Sequence, residues 1–223
     1  EINRELCDMC FHCVSECPAS AKTRIGKILS LEEIMQIIER DQAFFATSNG
    51  GVTLSGGEPA LFPEFAGDIL QSSKKIGIHT LLETCGMFHR EKFFALMFPY
   101  LDMIYFDIKI IDQKKHQQFC GGDNKNILSN FQLLAQNESK NKISILPRIP
   151  LIPDITATPS NLSEISQFLK QCNIRHVALL PYHPTWIDKP KKLCKELHYH
   201  NSQFMTQSQL DECKSYFKDF QII

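Results

Sequence analysis

Short apolar runs alternating with amphipathic stretches constrain the fold of this 223-residue chain more than any single motif does. The runs at 52–54, 79–83, 103–106, 143–152 and 177–180 read as strands: they are brief, apolar, and bounded by Gly, Pro, Asn or Asp. Residues 31–45, 65–76, 90–98, 113–119, 124–137, 161–171 and 207–220 read as helices. Ser30 stands where an N-cap belongs, with Glu33 three residues on. Such alternation predicts an α/β fold with a parallel sheet, and its repetition predicts a barrel or part of one. Five strands are too few to close a standard barrel, so either the barrel is open or strands are missing, and a partial (β/α) barrel is expected.

Composition narrows the class. A hydrophobic fraction of 43% supplies a sizeable core, enough for one domain with a small appendage. A net charge of −1 leaves no footprint for nucleic acid or a membrane surface, and no apolar run is long enough to span a bilayer. Nine cysteines, four of them within the first seventeen residues, do not form the spaced framework of a secreted disulfide domain. They point to metal ligation in a reducing compartment, the cytoplasm.

Cys7, Cys10, Cys13 and Cys17, followed by Pro18, have the spacing C-x2-C-x2-C-x3-C-P. This is the bacterial ferredoxin run, whose soft thiolates hold a 4Fe–4S cluster. In two-cluster ferredoxins the fourth Cys serves the other cluster, so this run resembles the second half of such a module. A zinc site or spare thiols would be the plainer readings. Residues 1–25 are expected to form this partial ferredoxin-like segment and 26–223 the partial barrel.

Polar and glycine residues gather at the carboxyl ends of the expected strands, where sites in such barrels lie. Gly56 and Gly57 let a ligand approach the backbone closely, and Glu58 adds a carboxylate. This suits a zwitterionic ligand, although a tight turn is the bland alternative. Glu83 and Thr84 end the second strand. Asp107 and Lys109 flank Ile108 and share a face, whether to meet a ligand or as a solvated ion pair. Arg148 lies between Pro147 and Pro150, which argue against a regular central strand, and could meet a carboxylate. His183 could stack on a nucleobase or simply stand in a loop. Cys85, Cys120, Cys172, Cys194 and Cys213 lack ligand spacing and read as core or surface thiols, and the run 189–195 reads as a solvated face or docking surface.

Taken together, GGVTLSGGEP (50–59), GIHTLLETCG (77–86), YFDIK (105–109), RIPLIP (148–153) and ALLPYH (178–183) resemble the glycyl-radical-enzyme activating enzymes of the radical SAM superfamily, of the pyruvate formate-lyase activase type with a ferredoxin insert. The resemblance implies a partial (β/α)6 barrel. It implies a 4Fe–4S cluster that reduces S-adenosylmethionine (SAM) to methionine and a 5′-deoxyadenosyl radical, which abstracts hydrogen from a backbone glycine of a glycyl radical enzyme. Flavodoxin or ferredoxin would donate the electron. On the matching positions, Gly56, Gly57 and Glu58 would hold the methionine amino group. Thr84, Asp107, Ile108, Lys109 and Arg148 would line the SAM site, and His183 the adenosyl side. Glu83, Thr84, Tyr105 and Asp107 match a monovalent cation site.

One departure matters. The family's catalytic cluster is held by C-x3-C-x2-C after the first barrel strand, and no such spacing occurs here. The resemblance therefore places the first strand and catalytic loop ahead of Glu1, and implies that the chain alone is inactive. A rival reading is a non-catalytic module that relays electrons or docks a glycyl radical enzyme.

Overall fold

The computed structural model describes Asn3 and residues 5–141, 143–187 and 199–223. Its centre is a parallel sheet of β1 (Gly51–Leu54), β2 (His79–Thr84), β3 (Met103–Asp107), β4 (Ser144–Leu151), β5 (His176–Pro181) and β6 (Gln221–Ile222), in sequential spatial order. Crossing segments contain α4 (Pro63–Lys75), α5 (Arg90–Leu96), α6 (Gln113–Cys120) with α7 (Lys125–Asn141), α8 (Pro159–Gln171), and α9 (Gln207–Ser215). Ahead of the sheet stand α1 (His12–Ser15), α2 (Leu31–Arg40) and α3 (Gln42–Ser48). Sequential order with right-handed crossovers puts the crossing helices on one face, the arrangement of an open (β/α) barrel.

Burial along the strands follows this geometry. Leu82, Ile104, Phe106, Ile145, Ile149 and Leu151 are buried under Leu70, Phe93, Phe131, Leu134, Leu162 and Leu169 of the helices. Their alternates Glu83, Tyr105, Asp107, Leu146 and Arg148 are only half-buried on the opposite, inner face. A second cluster, Ile38, Ile69 and Ile78, packs α2 and α4 beside β2. Among the described residues no helix is long and apolar enough to cross a membrane.

The expected strand positions and parallel class agree with this structure, with four differences. The sheet has a sixth strand. Gln221 N–H donates to Arg175 O (2.8 Å) and Ile223 N–H to Val177 O (3.0 Å), so the terminal residues extend the sheet instead of the last helix. That helix stops at Ser215, and Phe217 and Phe220 turn into the core. The first helix is broken at Asp41, whose N–H closes onto Ile38 O and whose C=O begins α3. The capping box at Ser30 is present in both directions.

The fourth difference concerns β4, which is a regular central strand despite its prolines. Its β3 ladder ends at Arg148, so Pro150 lies beyond it; its β5 ladder begins at Arg148, so Pro147 lies before it. Ile108 N–H donates to Arg148 O (2.9 Å), so Arg148 and Pro150 face β3 and Pro147 faces β5. Each proline's missing N–H therefore points where no ladder partner stands.

The turn after β2 is equally tight. Gly86 has φ +80°, and a Cβ there would collide with the Phe106 ring. Gly86→Ala is expected to cost about 3 kcal/mol through backbone strain and overpacking. Gly121→Ala has a similar φ of +83° with nothing in its way and isolates the strain; it is expected to cost about 1 kcal/mol. Urea unfolding of both variants measures the difference, and equal losses would contradict the close approach.

Candidate functional site

The polar residues converge at the carboxyl rim of the sheet. Register places Glu83 beside Tyr105, and Asp107 beside Arg148, all on the inner face. Arg148 joins them. Its Nη1 donates to Glu83 Oε1 (2.6 Å), while Nε and Nη2 donate to Asp107 Oδ1 (2.9 and 2.8 Å). The guanidinium also lies 5.3 Å from the Tyr105 ring centre, a cation–π distance. Ser55 Oγ donates to Glu83 Oε2 (2.7 Å), linking the end of β1. Burial pushes the Glu83 carboxyl up, but the Ser55 hydroxyl and Arg148 outweigh it and hold it below its ordinary value. Burial likewise opposes the Arg148 charge, and the two carboxylates overcome it.

Glu58 has an internal role. Its Oε1 accepts from Thr84 Oγ1 (2.8 Å) and Ala60 N–H (3.2 Å), and its Oε2 accepts from Cys85 N–H (2.7 Å). Thr84 Oγ1 in turn accepts from Gly86 N–H (2.9 Å). The carboxylate thus ties the glycine turn to the end of β2. Gly56 and Gly57 themselves are exposed, a Cβ on either would meet no atom within 4 Å, and among the described residues no loop hydrogen bond engages their peptide groups.

Beside the turn lies a cavity of about 250 Å³ whose lining includes Glu58, Cys85, Asp107, Ile108 and Lys109. No ion pair or hydrogen bond among the described residues uses the Lys109 ammonium. Its backbone is held by two buried asparagines that the sequence reading did not single out. Asn161 Nδ2 donates to Lys109 O (2.9 Å) and its Oδ1 accepts from Ile111 N–H (3.0 Å). Asn124 Nδ2 donates to Ile110 O and Ile111 O (2.9 and 2.7 Å). Their signal was faint: each stands at a helix start, where Asn usually satisfies nearby backbone groups.

His183 follows β5 on the same rim but touches none of these groups; its Nδ1 pairs with Thr185 Oγ1 (2.7 Å). It stands five residues past Ala178, the register partner of Arg148. That places it up to roughly 16 Å above the Arg148 layer. Burial, then Glu58, pushes the Cys85 thiol up to about 11, and burial alone does the same for Cys172. Cys85 is therefore a protonated thiol at neutral pH, as expected of a core cysteine. Residues 189–195 and Cys194 lie outside the described residues.

The four amino-terminal cysteines are not gathered. Cys10 and Cys13 are exposed, and among the described residues no group of three or more His, Cys, Asp or Glu could hold a metal ion. Cys17 alone shows a thiolate-favouring contact, with Ala21 N–H donating to its Sγ (3.3 Å) and lowering its pKa. The donor chemistry suits iron, but this arrangement of the thiols does not form a cage for it.

The chain has counterparts among known proteins. Residues 7–159 match the Radical SAM superfamily, and the chain belongs to it. Within that superfamily it belongs with the glycyl-radical-enzyme activating enzymes. It is 33% identical over 220 residues to the 4-hydroxyphenylacetate decarboxylase activating enzyme of Clostridioides difficile, covering 98% of this chain and 68% of that protein. It is 31% identical to the choline trimethylamine-lyase activating enzyme of Oleidesulfovibrio alaskensis, covering 91% and 65% respectively. The chain thus spans about two thirds of the length of these relatives. A solved domain of pyruvate-formate lyase-activating enzyme from Bacteroides vulgatus superposes with TM-score 0.62 at 27% identity, covering 78% of this chain and 98% of that domain. Superfamily membership brings SAM and a 4Fe–4S cluster as cofactors. The open turn at Gly56 and Gly57 and the uncommitted Lys109 fit SAM.

The depressed Glu83 carboxyl has a consequence for acid stability. Its contribution is complete above the ordinary value of 4.5 and is lost as pH falls through the lower folded value. Between pH 6 and pH 3 the melting temperature of the wild type is expected to fall more steeply than that of Glu83→Gln. Parallel curves in a pH series of thermal melts would remove Glu83 from the ion pair.

Proposed function

We propose that this chain is the SAM-binding barrel of an enzyme that activates a glycyl radical enzyme by abstracting hydrogen from a backbone glycine of that partner. The observation that carries this reading is the meeting of Glu58, Asp107 and Lys109 in one cavity at the carboxyl ends of the strands, with the Gly56–Gly57 turn next to Glu58 in sequence and Arg148 paired to Asp107. A reduced 4Fe–4S cluster with SAM would supply a 5′-deoxyadenosyl radical there. The chain's own residues position and shelter. The Gly56 and Gly57 peptide groups receive the amino-acid end of SAM, with Glu58 fixing their turn against β2. Lys109 offers an ammonium to the ribose hydroxyls or carboxylate, and His183, higher on the rim, offers its ring to the adenosyl side. The apolar lining beside Lys109, including Leu61, Met87 and Ile110, keeps water from the reacting groups.

The partner is read at class level only. The relatives named above act on enzymes for 4-hydroxyphenylacetate and choline, and a third, at 32% identity, is an isethionate sulfite-lyase activating enzyme. Cys7, Cys10, Cys13 and Cys17 would have to draw together before residues 1–25 could carry an auxiliary cluster; 26–223 would form the barrel. Because these 223 residues contain no C-x3-C-x2-C, the cluster that opens SAM is not held by them.

Two measurements test this. Calorimetric titration with SAM is expected to show binding that Lys109→Ala weakens about tenfold, roughly 1.4 kcal/mol. Gly57→Val, which fills open space without touching the fold, is expected to weaken it at least as much. Wild-type chain that ignores SAM would refute the site. After anaerobic iron–sulfide reconstitution and dithionite reduction, the chain is expected to form at most one cluster and release no 5′-deoxyadenosine. Robust release would show that Cys7, Cys10, Cys13 and Cys17 supply the catalytic cluster. SAM binding without cleavage, together with electron relay to a partner, would favour the non-catalytic reading.

A further inference from the structure

We propose that the guanidinium of Arg148 is the resident cation of the Glu83–Asp107 pair, standing where the family resemblance puts a monovalent metal ion. Glu83 and Asp107 belong to neighbouring strands and share the inner face, so as bare carboxylates they repel each other. A cation must stand between them. The resemblance assigns that ion to Glu83, Thr84, Tyr105 and Asp107; both Glu83 oxygens, the Thr84 hydroxyl and one Asp107 oxygen already have hydrogen-bond partners.

Glu83 accepts Arg148 Nη1 on one oxygen and the Ser55 hydroxyl on the other. Asp107 Oδ1 takes both Nε and Nη2. The Thr84 hydroxyl is turned to Glu58 and Gly86. Tyr105 offers its ring to the guanidinium. An alkali ion gives up tightly held water and needs several free oxygens in return. A guanidinium is weakly hydrated, planar, and meets two carboxylates with directional donors. At side-chain exposures of 16% for Arg148, 28% for Glu83 and 22% for Asp107, this pairing is only weakly screened by solvent.

The inference concerns the rim assigned above to SAM, but its test uses neither SAM nor a cluster, so the two are judged separately.

The chain is melted in NaCl, KCl and N-methylglucamine chloride at matched ionic strength, and titrated with Na⁺ while the ²³Na linewidth is followed. Wild type is expected to melt at one temperature in all three salts and to show no saturable broadening. Arg148→Gln is expected to melt about 5 °C lower in N-methylglucamine. Na⁺ or K⁺ should then restore part of that loss, with saturable ²³Na broadening. Saturable Na⁺ binding by the wild type, or an Arg148→Gln variant indifferent to the choice of cation, would overturn the proposal. The wild-type titration needs no variant and decides even where Arg148→Gln does not fold.

Discussion

Helices cover one face of this parallel sheet and leave the other half-exposed, and that one-sidedness fixes where charged groups can stand. On the covered face, Leu82, Ile104, Phe106, Ile149 and Leu151 are fully buried, and a charge among them would go unpaired at a cost of several kcal/mol. One residue away along each strand, Glu83, Asp107 and Arg148 keep partial contact with water and pair across three adjacent strands. A register slip of one residue in β3 would bury Asp107 and expose Phe106. The buried face therefore sets the register that lets the inner face assemble its ion pair.

The two ends of the sheet use polar groups differently. At the amino end, Asp102 accepts from Lys74 Nζ (2.7 and 2.9 Å) and from Thr80 N–H (2.9 Å), and its C=O accepts from Ser144 N–H (3.0 Å). That cluster is satisfied within the chain and ties α4, β2, β3 and β4 together. At the carboxyl end, among the described residues, the Gly56 and Gly57 peptide groups and the Lys109 ammonium are left uncommitted beside the Glu58 and Arg148 networks. Closed pairing at one end and open valences at the other is the expected division between stability and ligand binding in barrels of this type.

Much of this was legible in the sequence because it is local. Strand runs, the Ser30 capping box and the glycine turn each depend on a few consecutive residues. The convergence of Gly57, Asp107 and Lys109 followed from strand order alone. Partners separated by tens of residues were not legible: nothing near Arg148 says that it reaches Glu83, 65 positions away. The prolines misled for the same reason, since whether a missing N–H matters depends on where neighbouring ladders end. β6 is two residues long and carries no periodicity to read. Asn124 and Asn161 look like ordinary helix-start residues until the segment they hold is seen to carry Lys109.

The glycines and the glutamate of the turn divide their work in a way that follows from counting acceptors. An ionised carboxylate offers about four acceptor positions. Oε1 of Glu58 already takes two donors, Oε2 takes the Cys85 N–H, and the Cys85 thiol also bonds the carboxylate, so at most one position is left. An ammonium brings three donors. Under the proposed function, the amino group of SAM therefore cannot be satisfied by Glu58 and must turn chiefly to main-chain carbonyls. These are accessible only where no side chain covers them, which is the condition met at Gly56 and Gly57. The carboxylate holds the turn against β2 through Thr84 and Cys85, and the bare backbone of the turn does the binding.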